Sequence, residues 1–109
     1  MKFSKELIKG STKNLILAVL KDGEMYGYQI IKSIADQSQE ALQFGEGSIY
    51  PALHEMEKLG LLSSHWVPQE GKPDRKYYKL TPEGSQALAQ GVKDWREFSH
   101  AVNHVLSLA

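Results

Sequence analysis

The chain contains 109 residues, of which 41% are hydrophobic and 24% charged, and its 13 basic and 13 acidic side chains balance to a formal net charge of zero. This length fits one domain, and the absence of cysteine excludes disulfides, cysteine-based zinc sites and thiol chemistry. No apolar run approaches the ~20 residues of a membrane span, and the first ten residues lack the apolar core of a signal peptide, so we expect a cytoplasmic protein without a membrane partner.

The first third of the chain predicts two amphipathic helices. Apolar residues repeat at helical spacing over residues 12–21, and the pair Asp22-Gly23 supplies a stop. A second helix is predicted over residues 26–38, with isoleucines on its apolar side. The linker that follows contains two glycines and suits a turn.

A third helix is predicted over residues 48–59, with Pro51 in its first turn, where a missing N–H costs nothing, and Gly60 at its end. Its apolar face consists of Ile49, Ala52, Leu53, Met56 and Leu59. Its opposite face carries Tyr50, Pro51, His54 and Lys58. Two helices joined by a turn, the second with a polar outer face, are typical of a helix-turn-helix.

The remaining sequence predicts a hairpin and a long helix. Residues 61–67 and 76–80 read as strands, joined by a long polar tip over residues 68–75. The run Thr81-Pro82-Glu83 provides an N-cap, a helix-opening proline and a favourable first-turn carboxylate for a helix that runs almost to Ala109. An apolar stripe along this helix consists of Leu88, Val92, Trp95, Phe98, Val102 and Leu106.

These elements predict a mainly α fold with a two-stranded β wing. Residues 1–81 would form a winged helix-turn-helix DNA-binding domain, and residues 82–109 a C-terminal dimerisation helix. The stripe on the last helix has no partner left in so small a core, so we expect it to be the dimer interface of a homodimer.

Double-stranded DNA is the expected partner, because an α-helix fits the major groove and wing cations can pair with the flanking phosphates. The candidate DNA-binding residues are Ser48, Tyr50, Pro51, His54 and Lys58 on the third helix, and Lys72, Arg75 and Lys76 on the hairpin. The neutral net charge is unusual for such a role unless the basic groups share one face. The alternative is a winged-helix protein-interaction module, whose binding would depend less on salt.

Five segments of the sequence resemble PadR-type transcriptional regulators. They are LAVLKDG at 17–23, MYGYQI at 25–30, GSIYPAL at 47–53, LGLL at 59–62 and RKYYKLTPEG at 75–84. The single last helix resembles the short subclass of that family. The resemblance implies a homodimeric bacterial repressor that binds a pseudo-palindromic operator and is released by a small planar aromatic or phenolic effector. A repressor without a small-molecule effector is the alternative.

Trp95 lies in the middle of the last helix, where it is either part of the dimer seam or a stacking platform for an aromatic effector. The resemblance favours the second role as well, since a tryptophan at the matching place in small members lines a pore between subunits. Gly91 lies one turn earlier and would leave space above the indole. A glycine inside a helix costs ~1 kcal/mol relative to alanine, so we expect a compensating role for it.

Metal binding and catalysis find little support. His100 and His104 have the spacing to share a metal, with Glu97 as a possible third ligand, but histidines near a helix C-terminus also interact favourably with its dipole. The sequence contains no glycine-rich phosphate loop, nucleophile elbow or paired carboxylates. We therefore predict no metal, no cofactor and no enzymatic activity.

Overall fold

A computed structural model describes residues 3–108, so Met1, Lys2 and Ala109, which the predicted domain ranges include, lie outside the described residues. The described residues form five helices and three strands. In chain order these are α1 Lys5–Ile8, α2 Thr12–Leu20, β1 Met25–Tyr26, α3 Gly27–Gln37, α4 Glu46–Lys58, β2 Leu62–Gln69, β3 Lys72–Leu80 and α5 Pro82–Val105. The predicted mainly α fold with a β wing is confirmed.

The core lies between α2, α3 and α4 and is closed by the base of the sheet. Its buried apolar side chains are Ile16, Leu17, Val19, Leu20, Ile30, Ile34, Phe44, Ile49, Leu53, Met56, Leu62 and Tyr78. Burying a large apolar side chain contributes ~1.5–3 kcal/mol, so these residues are the main source of stability for residues 3–81, which are called the head below. The predicted apolar face of α4 is confirmed at Ile49, Leu53 and Met56, whereas Leu59 is 56% exposed because it is the C-cap, at the edge of that face.

The helix α4 begins two residues earlier than predicted, with Gly45 as its N-cap. Pro51 therefore lies in the second turn, and the prediction that it lies in the first turn was wrong. Its missing N–H leaves the carbonyl of Gly47 without an intrahelical donor, but Gly47 is exposed. Gly60, with a φ of 80°, ends the helix as predicted, and the N–H of Leu61 donates to the carbonyl of Met56 at 2.9 Å.

The sheet has three antiparallel strands in the order β1-β3-β2, and the sequence predicted only two of them. The additional strand β1 pairs Met25 with Tyr78. The prediction of a long polar tip over residues 68–75 was also wrong. The strands β2 and β3 continue to a short turn that contains Gly71, whose φ is 67°. Pro68 lies where the pairing is irregular, between Val67 and Gln69, so no ladder hydrogen bond is lost there.

The helix α5 is attached at its start to the end of α4. The Thr81 hydroxyl accepts from the N–H of Gly84 at 3.0 Å, as an N-cap does, and donates to the carbonyl of Gly60 at 2.6 Å. Gly84 is buried, and a Cβ there would lie under 3.0 Å from the carbonyl oxygen of Leu61. This first turn therefore fixes where α5 leaves the head.

Candidate nucleic-acid interface

The outward face of α4 is polar and exposed. Of the candidate DNA-binding residues on this helix, Ser48, Pro51, His54 and Lys58 are exposed. Glu55 is exposed on the same face, and the sequence analysis did not single it out. An exposed face of serine, histidine, lysine and glutamate can donate to and accept from base edges.

Tyr50 does not lie on this outward face, which corrects the prediction. It is half-buried, packs against the core, and its ring is so close to Gly27 that a Cβ there would lie 2.5 Å from the ring. Burial raises the pKa of the Tyr50 hydroxyl above its ordinary value, and the charge of Glu46 raises it further. The hydroxyl therefore stays protonated and is able to donate a hydrogen bond.

The predicted wing cations differ in their surroundings. Lys72 is exposed next to the hairpin turn, whereas Arg75 and Lys76 are half-buried. The guanidinium carbon of Arg75 lies 4.4 Å from the centre of the Tyr26 ring, a cation–π contact. The ammonium of Lys76 lies 3.1 Å from the carboxylate of Glu57 on α4. Of the three, Lys72 makes no ion pair or cation–π contact with the described residues.

A cleft of about 330 Å³ separates the wing from α4. Its walls include Tyr26, Tyr50, His54, Trp66, Arg75 and Lys76. Trp66 is 63% exposed, and the ammonium of Lys76 lies 5.8 Å from the centre of its ring. The cleft therefore combines aromatic faces with cations beside the outward face of α4.

The carboxylate of Glu57 contacts Lys76, one of the residues that line this cleft. It accepts a hydrogen bond from the hydroxyl of Ser64 on β2 through one oxygen and pairs with Lys76 on β3 through the other. The Ser64 hydrogen bond lowers the pKa of Glu57, against the effect of burial, and Lys76 and the nearby His54 lower it further. Burial acts to lower the pKa of Lys76, but its hydrogen bond to Glu57 raises that pKa overall.

A second, apolar groove lies on another face of the molecule, between α1, α2 and α5. It has a volume of about 660 Å³ and is lined in large part by Phe3, Leu7, Leu15, Leu88, Val92 and Trp95. Gly91 also lines it, but the space that its missing side chain leaves is taken by Asn14, whose Cγ would lie 2.8 Å from a Cβ there. The idea that this space lies above the indole was therefore wrong, because the glycine allows α5 to approach α2.

The predicted apolar stripe on α5 is largely exposed. Leu88 and Val102 are half-buried, whereas Val92 is 39%, Trp95 54%, Phe98 64% and Leu106 61% exposed. The rings of Trp95 and Phe98 lie 6.4 Å apart. Val105 and Leu108, outside the predicted stripe, are 85% and 58% exposed. The end of α5 therefore presents a run of apolar side chains that the head does not cover.

Comparison with known proteins decides the family of this chain. Residues 16–90, from α2 into α5, match the model of the transcriptional regulator PadR-like family. The chain belongs to this family. It is a transcriptional regulator and not an enzyme, and the resemblance found in the sequence is confirmed.

Several PadR-like proteins and solved structures are similar over most of the chain. A transcriptional regulator from Clostridium thermocellum is 30% identical with a TM-score of 0.86, covering 94% of this chain and 96% of that one. A PadR family regulator from Eggerthella lenta is 33% identical with a TM-score of 0.83, covering 93% and 86%. The negative transcriptional regulator PadR of Bacillus subtilis is 30% identical over 83 residues, which cover 76% of this chain and 43% of that protein.

Two further features concern a metal site and a membrane span. The rings of His100 and His104 lie 4.4 Å apart, and within residues 3–108 no three His, Cys, Asp or Glu side chains are placed to hold a metal ion. No helix in this range is long and apolar enough to cross a membrane.

Proposed function

We propose that this PadR-like regulator is a homodimeric bacterial repressor that binds a pseudo-palindromic operator in double-stranded DNA. The observation that carries the proposal is the exposed polar face of α4 beside a wing with cationic side chains. A helix of this kind fits the major groove, while wing cations reach the adjacent backbone. Repression is supported by the name of the Bacillus subtilis relative, a negative transcriptional regulator, and such a repressor acts in the cytoplasm.

Each part of the interface has a proposed role. Ser48, His54 and Lys58 contact base edges or phosphates from α4, and Pro51 lies against the groove wall between them. Tyr50 donates its hydroxyl from the wall of the cleft, since its raised pKa keeps the proton in place. On the wing, Lys72 and Arg75 supply positive potential toward the phosphates, and Lys76, paired with Glu57, contributes to the interface from the wall of the cleft.

The exposed stripe of α5 supports a two-fold homodimer. Monomers rarely leave a large contiguous apolar patch uncovered, and a second copy offers the same patch in return. The proposed seam consists of Leu88, Val92, Trp95, Phe98, Val102 and Leu106, together with the groove beside α1. Residues 1–81 then serve mainly DNA binding, although α1 and α2 also line the groove at the seam, and residues 82–109 serve pairing.

The same groove is the proposed effector site. Its volume of about 660 Å³ lies within the range of sites for small organic ligands. Trp95 offers an exposed indole face on which a planar aromatic or phenolic compound would stack, with Gly91 in the adjacent wall. A ligand at the seam would change the separation of the two heads, and the resulting loss of operator affinity must equal the loss of ligand affinity on DNA.

The test is selection of bound fragments from random DNA, followed by measurement of affinity at several salt concentrations. We expect a two-fold symmetric site and an affinity that falls steeply with salt, because phosphate contacts release counterions. A screen of planar aromatic compounds for release of the selected fragment then tests the effector. Recovery of no DNA would contradict the proposal and favour a protein-interaction module.

A further inference from the structure

The wing and α4 are joined by one carboxylate. Glu57, on α4, receives the Ser64 hydroxyl of β2 on one oxygen and lies 3.1 Å from the Lys76 ammonium of β3 through the other. Both strands of the wing therefore contact the same side chain. The Glu57 and Lys76 side chains are only 32% and 24% exposed, so water screens this pair less than it would a pair on the open surface.

This contact lies where the wing leaves the core. On the face of β2 that turns toward α4, Leu62 is buried, Ser64 is half-buried and Trp66 is 63% exposed. Toward the tip the strands have progressively less of the protein to pack against. The Glu57 carboxylate provides a polar contact from α4 to both strands at this point, so the position of the wing relative to α4 depends on it.

The ammonium of Lys76 is occupied within the protein. Besides Glu57, it lies 5.3 Å from the ring of Tyr78 and 5.8 Å from the ring of Trp66. A direct phosphate contact would require it to leave a carboxylate and two aromatic faces. Lys72, which is exposed and free of such contacts among the described residues, is better placed for phosphate.

We propose that Glu57 is a positioning residue for DNA binding, which holds Ser64 and Lys76 so that the wing keeps a fixed spacing from the recognition helix α4. This inference rests on the proposed DNA-binding function. It also means that Lys76 pairs with Glu57 rather than with a phosphate. Glu57, although acidic, then supports a surface that binds the phosphates of DNA.

The positioning role and simple electrostatic repulsion predict opposite effects of Glu57→Gln on DNA affinity. If Glu57 only repelled phosphates, Glu57→Gln would tighten DNA binding. If it positions the wing, the same change weakens binding, because the amide cannot form the ion pair. Asp36→Asn is the charge-matched control, since it also removes one carboxylate, and Asp36 is exposed on α3, outside the proposed interface, and belongs to neither ion pair among the described residues.

The experiment measures affinity for the selected operator by fluorescence anisotropy, with the full-length wild type and its variants at several salt concentrations. We expect Glu57→Gln to weaken binding at least about tenfold, which corresponds to about 1.4 kcal/mol, the lower end of the effect of losing one hydrogen bond to a charged group. Asp36→Asn should bind as well as the wild type. Lys76→Met should weaken binding without changing the salt slope, and the Glu57→Gln/Lys76→Met double variant should be no weaker than either single variant.

Two results would overturn the inference alone: a Glu57→Gln variant that binds as tightly as the wild type, or a Lys76→Met variant whose salt slope falls by about 1, as a lost phosphate contact requires. A wild type that binds no DNA would overturn the proposed function and this inference together. Carboxyl NMR titration without DNA checks the pair itself. The lowered pKa of Glu57 should rise in Lys76→Met, and an unchanged value would contradict the contact.

Discussion

Replacing Gly84 with alanine tests how tightly α5 is fastened to the end of α4. A Cβ at this buried position would lie under 3.0 Å from the carbonyl oxygen of Leu61 and 3.1 Å from its carbon, and the obstacle is backbone, which cannot rotate away. Overpacking of this kind costs about 1–3 kcal/mol, and alanine returns about 1 kcal/mol of helix propensity. Because the obstacle is backbone, the cost of overpacking lies at the upper end of that range. We therefore expect the free energy of unfolding to fall by about 1–2 kcal/mol.

The assay is thermal and urea unfolding followed by circular dichroism, at one fixed protein concentration because dimer stability depends on it. Gly84→Ala should lower the Tm by roughly 4–16 °C, at about 4–8 °C per kcal/mol for a domain of about this size. Gly47→Ala is the matched control, since it lies in the first turn of α4 with nothing within 4 Å of its added Cβ, and it should unfold no earlier than the wild type. If Gly84→Ala is as stable as Gly47→Ala, α5 does not approach the end of α4 as described.

Four further results are expected. The pKa of Glu57 is lowered in the folded chain, so its contribution to stability is present above the ordinary glutamate value of about 4.3 and is lost as the pH falls below it. Glu57→Gln should flatten that part of the acid-unfolding curve, and an unchanged curve would contradict the pair. Phe98→Glu should convert a dimer into a monomer in sedimentation at micromolar concentration, because it places a charge in the proposed seam; a wild-type monomer would refute the seam. Planar aromatic compounds should quench the tryptophan fluorescence of the wild type with micromolar affinity, a binding free energy of about −8 kcal/mol. The Trp95→Ala variant should lose that quenching while it keeps operator binding. The double variant Lys72→Ala/Arg75→Ala should weaken all DNA sequences alike and flatten the salt dependence, and an unaltered slope would place the wing away from phosphate.

Local patterns in the sequence were sufficient for the four longer helices, but not for the four-residue α1. Periodic apolar residues placed α2, α3 and α4 within two residues of their observed ends. Gly60 and Thr81 marked helix ends because the stop and the cap each depend on one residue's own backbone or side chain. The same periodicity identified the apolar stripe of α5, four of whose six members are exposed.

Other features were decided by contacts between residues far apart in the chain. The strand β1 has only two residues, too few for any periodic signal, and it exists because β3 pairs with it. Tyr50 lies on the outer side of a helical wheel, yet packs against Gly27 because α3 approaches α4 there. The carbonyl of Gly91 accepts a hydrogen bond from the side chain of Asn14, a residue 77 positions away.

The division within the candidate site has the same physical origin. The exposed polar face of α4 follows from helical geometry alone, so the sequence by itself determined which of its side chains face outward, apart from Tyr50. The pairing of Glu57 with Lys76 and Ser64 depends on the spacing between the β2–β3 hairpin and α4. That spacing is set by packing of the whole head, so only the tertiary structure could show that Lys76, one of the predicted DNA-binding residues, is paired with Glu57.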